Sequence, residues 1–148
     1  MDKKQREILE FAVEKEKGAN RFYADWADRA EDEEVRRLFR ELAGDERKHA
    51  DRLENATPDT LLEQPPAPPD FKISELLPEA KALETMSLAD ALTLAIRREE
   101  RAIELYERLR RHSSPQGEAL FAALADDERR HKHHLELRYA RLARHGRP

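Results

Sequence analysis

Apolar residues recur at steps of three and four in four separate stretches of the chain, the period that lines one face of an α-helix. The first line runs Leu9, Ala12, Glu16, Ala19, Tyr23, Trp26, Ala30, and the second Leu38, Leu42, Glu46, His49, Leu53. The third runs Leu88, Leu92, Ala95, Glu99, Ala102, Tyr106, Leu109, and the fourth Leu120, Leu124, Glu128, His131, Leu135. Each stripe should face a core. Yet each carries a carboxylate, and two carry an imidazole as well, where an apolar side chain belongs. Capping residues set the limits: Asp2 for the first helix, and Asp32 followed by Glu33 and Glu34 for the second, which runs to about Asn55. Ser87 with Asp90 opens the third helix, and Ser114 with Pro115 at the first helical position opens the fourth, which runs to about Arg144. The turns are therefore predicted at residues 30–33 and 112–115, and connections this short make antiparallel helix hairpins.

Between the hairpins the pattern breaks. Thr57-Pro58-Asp59 and Gln64-Pro65-Pro66-Ala67-Pro68-Pro69 cannot continue a helix and favour extended backbone, so Pro65 to Pro69 is expected to be non-helical. Phe71, Ile73, Leu76 and Leu77 could dock a short helical piece begun by Ser74. The organisation expected is a single domain over residues 1–148, with hairpin 1 over about 3–55, a crossover over about 56–86 and hairpin 2 over about 87–144.

The two hairpins repeat one another. Leu38-Phe39-Arg40-Glu41-Leu42-Ala43-Gly44-Asp45-Glu46-Arg47-Lys48-His49 aligns without gaps on Leu120-Phe121-Ala122-Ala123-Leu124-Ala125-Asp126-Asp127-Glu128-Arg129-Arg130-His131, with eight of twelve positions identical. Glu16 and Tyr23 likewise reappear as Glu99 and Tyr106. The offset is 83 residues for the first helix of each pair and 82 for the second, and the missing residue falls in the turn. In an antiparallel hairpin, positions equidistant from the turn lie at one level. Glu16 and the Glu46/His49 pair are equidistant from Asp32, and Glu99 and the Glu128/His131 pair from Ser114-Pro115, each roughly 23 Å from its turn at 1.5 Å per residue.

Charged residues make up 41% of the 148, a fraction that alone would lean toward disorder, but the four periodic segments argue for a folded helical protein with a charged surface. The net charge of -4, with both signs interspersed, gives no basic stripe for nucleic acid. There is no cysteine, which excludes disulfides, thiolate zinc sites and a four-cysteine iron centre within this chain. No apolar leader and no membrane-length run is seen, so a cytoplasmic protein that does not engage a membrane is expected.

A lone Glu-x-x-His on a charged helix means little. Two copies level with two further Glu residues mean more, because six polar groups (Glu16, Glu46, His49, Glu99, Glu128, His131) would converge in a core where ionised carboxylates are costly unless paired or bound to metal. The stripes hold no Arg or Lys near that level, so no local cation is expected to balance the acids. Four carboxylates and two imidazoles suit iron or manganese and balance two divalent ions; zinc usually prefers fewer ligands. A dinuclear site with ions about 3.5 to 4 Å apart is expected. Trp26 reads as core, His133 and His134 as solvent-facing, and His112 and His145 as helix-end residues favoured by the dipole.

These motifs, Glu from two helices and Glu-x-x-His from the other two, resemble the ferritin-like superfamily, most closely its rubrerythrin-like members with a bacterioferritin-like ligand set. The resemblance implies an all-α, ferritin-like four-helix bundle made of two duplicated antiparallel hairpins joined by a long Pro-rich crossover. It further implies two iron ions, with manganese as an alternative, bridged by Glu46 and Glu128, with Glu16 and His49 on one ion and Glu99 and His131 on the other. Behind these, Asp127 would hold His49, Asp45 would hold His131, and Tyr23 and Tyr106 would hydrogen-bond ligand carboxylates. Two departures stand out: a rubrerythrin's cysteine-ligated electron-transfer domain is missing, and an extra Glu expected three residues after Glu99 is Ala102.

The function implied is that of a non-haem diiron oxidoreductase reducing peroxide or dioxygen. Its partners would be O2 or H2O2 and a separate electron-donor protein, and the chain would act as a homodimer or small homo-oligomer. A ferroxidase and iron-storage protein of ferritin type and a structural metal-binding helical module are the alternatives.

Overall fold

The side chain of Asp32 separates the first two helices: its Oδ1 accepts the backbone N–H of Glu34 at 2.8 Å and of Val35 at 3.3 Å, two donors that have no partner within the helix they open. Ser87 Oγ accepts Asp90 N–H at 3.1 Å, and Ser114 Oγ accepts Gly117 N–H at 3.1 Å with Pro115 at the first helical position. The computed structural model describes residues 3–56, 61–62 and 86–145, the side chain of Lys4 excepted. It contains α1 (Lys3–Arg29), α2 (Glu33–Asn55), α3 (Leu88–Arg111) and α4 (Pro115–Arg144). The expected Asp2 cap, the Pro65–Pro69 run and the piece begun by Ser74 lie outside the described residues. Both turns fall where the capping residues put them.

α1 packs along α2 and α3 along α4, giving the all-α four-helix bundle of two antiparallel hairpins. Two apolar layers form its core. One gathers the turn end of the first hairpin (Trp26, Ala30, Val35, Phe39) with the start of α3 (Leu92, Ala95). The other gathers the start of α1 (Leu9, Val13) with Leu53 and the turn end of the second hairpin (Leu109, Phe121). The hairpins are thus laid head to tail, α2 ending in the second layer and α3 beginning in the first. Between these helices, Leu61 and Leu62 are buried in the second layer, whereas Met86 packs on the first.

Leu61 and Leu62 form a strap across the second turn. Leu62 pairs with Ser113 in an isolated antiparallel bridge, and Ser114 N–H donates to Leu61 O at 3.0 Å. The strap lies so close to α4 that a Cβ on Gly117 would sit 2.0 Å from Leu61 O. Gly117→Ala is therefore expected to push the strap off and to cost about 1–3 kcal/mol, by analogy with other overpacked sites. Gly44 has nothing within 4 Å of its ideal Cβ, so Gly44→Ala should instead add about 0.5–1 kcal/mol by removing a helical glycine. Urea unfolding of the two variants beside the wild type checks both signs.

Candidate metal centre

Between the two apolar layers lies a polar one. Glu16, Glu46, Glu99 and Glu128 are each 1% exposed, and His49 and His131 each 2%. Every helix contributes to it because the three-and-four step that buries Leu38, Leu42 and Leu53 carries Glu46 and His49 inward with them, and likewise in α4.

Inside the layer, His49 Nδ1 lies 3.5 Å from Glu16 Oε2, 3.3 Å from Glu46 Oε1 and 3.4 Å from Glu128 Oε1. His131 Nδ1 lies 3.3 Å from Glu46 Oε1, 3.8 Å from Glu99 Oε2 and 3.1 Å from Glu128 Oε1. The two imidazoles stack, their centroids 6.0 Å apart and their planes 18° from parallel. The donor atoms fall into two groups, Glu16, Glu46, His49, Glu128 and Glu46, Glu99, Glu128, His131, and within each group they lie within 4.8 Å of one another. Glu46 and Glu128 belong to both.

Four hydrogen bonds fix the outer edges of this layer, and each one crosses from one hairpin to the other. Tyr23 OH donates to Glu99 Oε1 at 2.6 Å, and Tyr106 OH donates to Glu16 Oε1. His49 Nε2 meets Asp127 Oδ2 at 3.0 Å and His131 Nε2 meets Asp45 Oδ2 at 3.0 Å. An ionised carboxylate only accepts, so Nε2 of each ring carries the proton, and in a neutral ring Nδ1 is left with its lone pair toward the centre.

What these bonds leave over tests whether a metal fits. Glu16 Oε2, Glu46 Oε1, His49 Nδ1, Glu99 Oε2, Glu128 Oε1 and His131 Nδ1 are buried without a hydrogen-bond partner. There is one such atom on each of the six residues, and all six face the shared interior. Buried polar atoms rarely go unpaired, and six convergent ones of this chemistry are a donor set for divalent iron. Without metal, protons take the place of the cations. Burial, reinforced by the neighbouring carboxylates, pushes Glu46 and Glu128 well above the usual carboxylate range. Burial alone would push His49 down, but the hydrogen bond and charge of Glu16, with Glu128 and Asp127, outweigh it and raise the ring to about 9. For His131 burial again opposes, and Glu128, Glu46 and Glu99 raise it further. Burial, and then the charge of the carboxylate each one touches, holds both tyrosines well above their usual value, so they donate and stay neutral.

One expectation needs correction. The inward stripes do lack Arg and Lys, but the layer is not without cations. Lys15 and Arg98, each one residue before a buried Glu, line the same small space as Glu16, Glu46, Glu99 and Glu128. Long side chains let the charged heads of residues beside the stripe reach the layer, and Lys15 Nζ and Arg98 Nε are both buried. Their sequence signal was the repeat itself, since Lys15 and Arg98 are separated by the same 83 residues as Glu16 and Glu99. Burial lowers Lys15 to about 8 and also lowers Arg98. Elsewhere Trp26 is buried, His133 and His134 are exposed, and His112 and His145 are the C-caps of α3 and α4.

The rubrerythrin family's sequence profile matches residues 7–89 and 90–145. Matching nearly the whole of the four helices, it makes the chain a member of the rubrerythrin family. Neither the comparison with curated proteins nor that with solved structures gives a significant match. Fold, family and the two buried Glu/His groups together are those of a ferritin-like protein with a carboxylate-bridged diiron redox site, and support a role of the oxidase or peroxidase type. Among the described residues no helix is long and apolar enough to cross a membrane.

Proposed function

We propose that the protein reduces hydrogen peroxide, or dioxygen, at a pair of iron ions that Glu46 and Glu128 would hold in common, with Glu16 and His49 completing the hold on one ion and Glu99 and His131 on the other. The observation that carries the assignment is the sharing of Glu46 and Glu128 between the two donor groups: Glu46 Oε1 is 3.3 Å from both imidazole Nδ1 atoms. Two ions bound there would supply one electron each, which with two protons converts H2O2 to two waters. The chain's own part is to hold the donors ready. Tyr23 and Tyr106 tie one oxygen of Glu99 and of Glu16 and leave the other free; Asp127 and Asp45 fix the ring orientation of the histidines. The apolar layers on either side keep bulk water from the pair.

The reading includes a separate electron-donor protein that returns the electrons. It also includes a cytoplasmic setting and a homodimer or small homo-oligomer; Leu137 and Tyr139, exposed on α4, are compatible with a further subunit there. The test is to mix iron-loaded, reduced protein anaerobically with H2O2 and to follow peroxide consumed against iron oxidised. One peroxide per pair of irons is expected, and Glu128→Ala should lose the reaction. Iron uptake running far beyond two ions per chain, in a large hollow particle by scattering, would replace this reading with storage.

A further inference from the structure

The space beside the six donor atoms has a wall that the metal-holding roles do not use. It lies between α1 and α3, opposite the histidines on α2 and α4, and is built from residue pairs related by the internal repeat. Ala19 and Ala102 keep it open, the four carboxylates form its floor, and Lys15 and Arg98 flank it. Lys15 Nζ and Arg98 Nε are both buried without a hydrogen-bond partner, and the Arg98 guanidinium is held over the Phe22 ring at 4.9 Å. The space has about 10 Å³ for the centre of a water-sized molecule, about the room that one water needs.

Charge decides what ligand that space takes. Buried cations are expensive unless compensated, and in the empty protein the four carboxylates compensate Lys15 and Arg98. Two divalent ions neutralise the same four carboxylates, which leaves the Arg98 charge, and that of Lys15 when it carries its proton, facing the opening with no counter-charge. Each extra positive charge in the layer favours a ligand that arrives as an anion over a neutral one of equal size. Arg98 keeps its charge at any working pH.

We propose that Lys15 and Arg98 make the α1/α3 face of the centre a binding site for one small anion, so that the substrate class taken by the loaded protein is anionic, such as a hydroperoxide anion. This rests on the dinuclear reading above. The two side chains act as positioning residues, drawing the anion to the opening and holding it there.

The probe is azide, a small anion, with nitric oxide as an uncharged control of similar size. Both are titrated into iron-loaded full-length protein and followed by visible absorption, with bound iron measured on each sample. Lys15→Met and Arg98→Met keep an unbranched apolar stem and remove the charge. Each is expected to weaken azide by at least about tenfold while leaving nitric oxide binding and iron content unchanged. Lys15→Arg and Arg98→Lys, which keep the charge, should bind azide as the wild type does. Azide binding that is unchanged in both Met variants overturns the proposal, as does an equal loss for azide and nitric oxide, which would mean that the two residues only shape the space. Wild-type protein that takes up no iron would overturn the dinuclear reading and this inference together, whereas iron uptake with charge-independent azide binding overturns the inference alone.

Discussion

Fe2+ added under anaerobic conditions is expected to raise the thermal unfolding midpoint of the protein by several degrees, and Glu46→Ala or Glu128→Ala to abolish most of that rise. The unfolded chain has no assembled donor set, so metal binds the folded form far better and stabilises it by mass action. At a free concentration 100-fold above the dissociation constant the gain is about 2.7 kcal/mol per site. For a chain of this length 1 kcal/mol moves the midpoint by about 2–4 °C. The two bridging candidates should be the most damaging to lose, because Glu46 and Glu128 belong to both donor groups and removing either one depletes both. Glu16→Ala and Glu99→Ala each deplete only one group and should retain part of the gain. Differential scanning calorimetry of wild type and all four variants, with and without Fe2+, separates these cases. A wild-type midpoint that ignores metal, or variants that gain as much as the wild type, would sink the dinuclear assignment.

The layer was legible in the sequence because it breaks a rule that every other position on the stripes obeys. Glu16, Glu46, Glu99 and Glu128 stand where apolar side chains belong, and equal distances from Asp32 and from Ser114 bring them to one level. Helix periodicity and caps are local, so they survive in a single sequence. What was not legible depends on reach or on contact between distant segments. Lys15 and Arg98 sit beside the stripe, and only a packed bundle shows that their heads enter the layer. The same holds for Leu61 and Leu62, whose burial under the second turn follows from a backbone bridge to Ser113 and from the absence of a Cβ at Gly117. A lone apolar pair in a Pro-rich stretch carries no period to reveal it. The head-to-tail arrangement of the hairpins also needed the structure, since a crossover as long as residues 56–86 permits more than one layout.

The metal-free protein should lose stability as pH rises from about 4.5 toward 9, and metal should reverse that trend. Glu46 and Glu128 have folded-state values well above the 4.5 of an unperturbed Glu, first through burial and then through the other carboxylates of the layer. Between the unfolded and folded values the folded chain therefore holds more protons than the unfolded chain, and its stability falls as pH climbs through that window. His49 acts with the same sign at higher pH. Its carboxylate partners outweigh burial and raise it from 6.5 to about 9, so the stability it contributes is complete below 6.5 and is lost on the way to 9, a change on the order of 3 kcal/mol. His131, raised as well, adds to the fall. Surface carboxylates oppose this only in acid: Glu34, lowered by Arg138 and Arg141, gives stability that disappears as pH drops below its unfolded value of 4.5. Metal competes with the same protons for the same six residues, so its contribution grows with pH and the gap between loaded and empty protein should be widest near pH 9. Glu46→Gln and Glu128→Gln each remove one titrating carboxyl while keeping its shape, and should make the fall above pH 4.5 shallower in the empty protein. Urea unfolding of metal-free wild type and both variants from pH 4 to 9, repeated with Fe2+ in the absence of oxygen, gives the two slopes. Stability of the empty wild type that is flat or rises between pH 6.5 and 9 would mean that the layer does not hold its protons as its burial and its neighbours require.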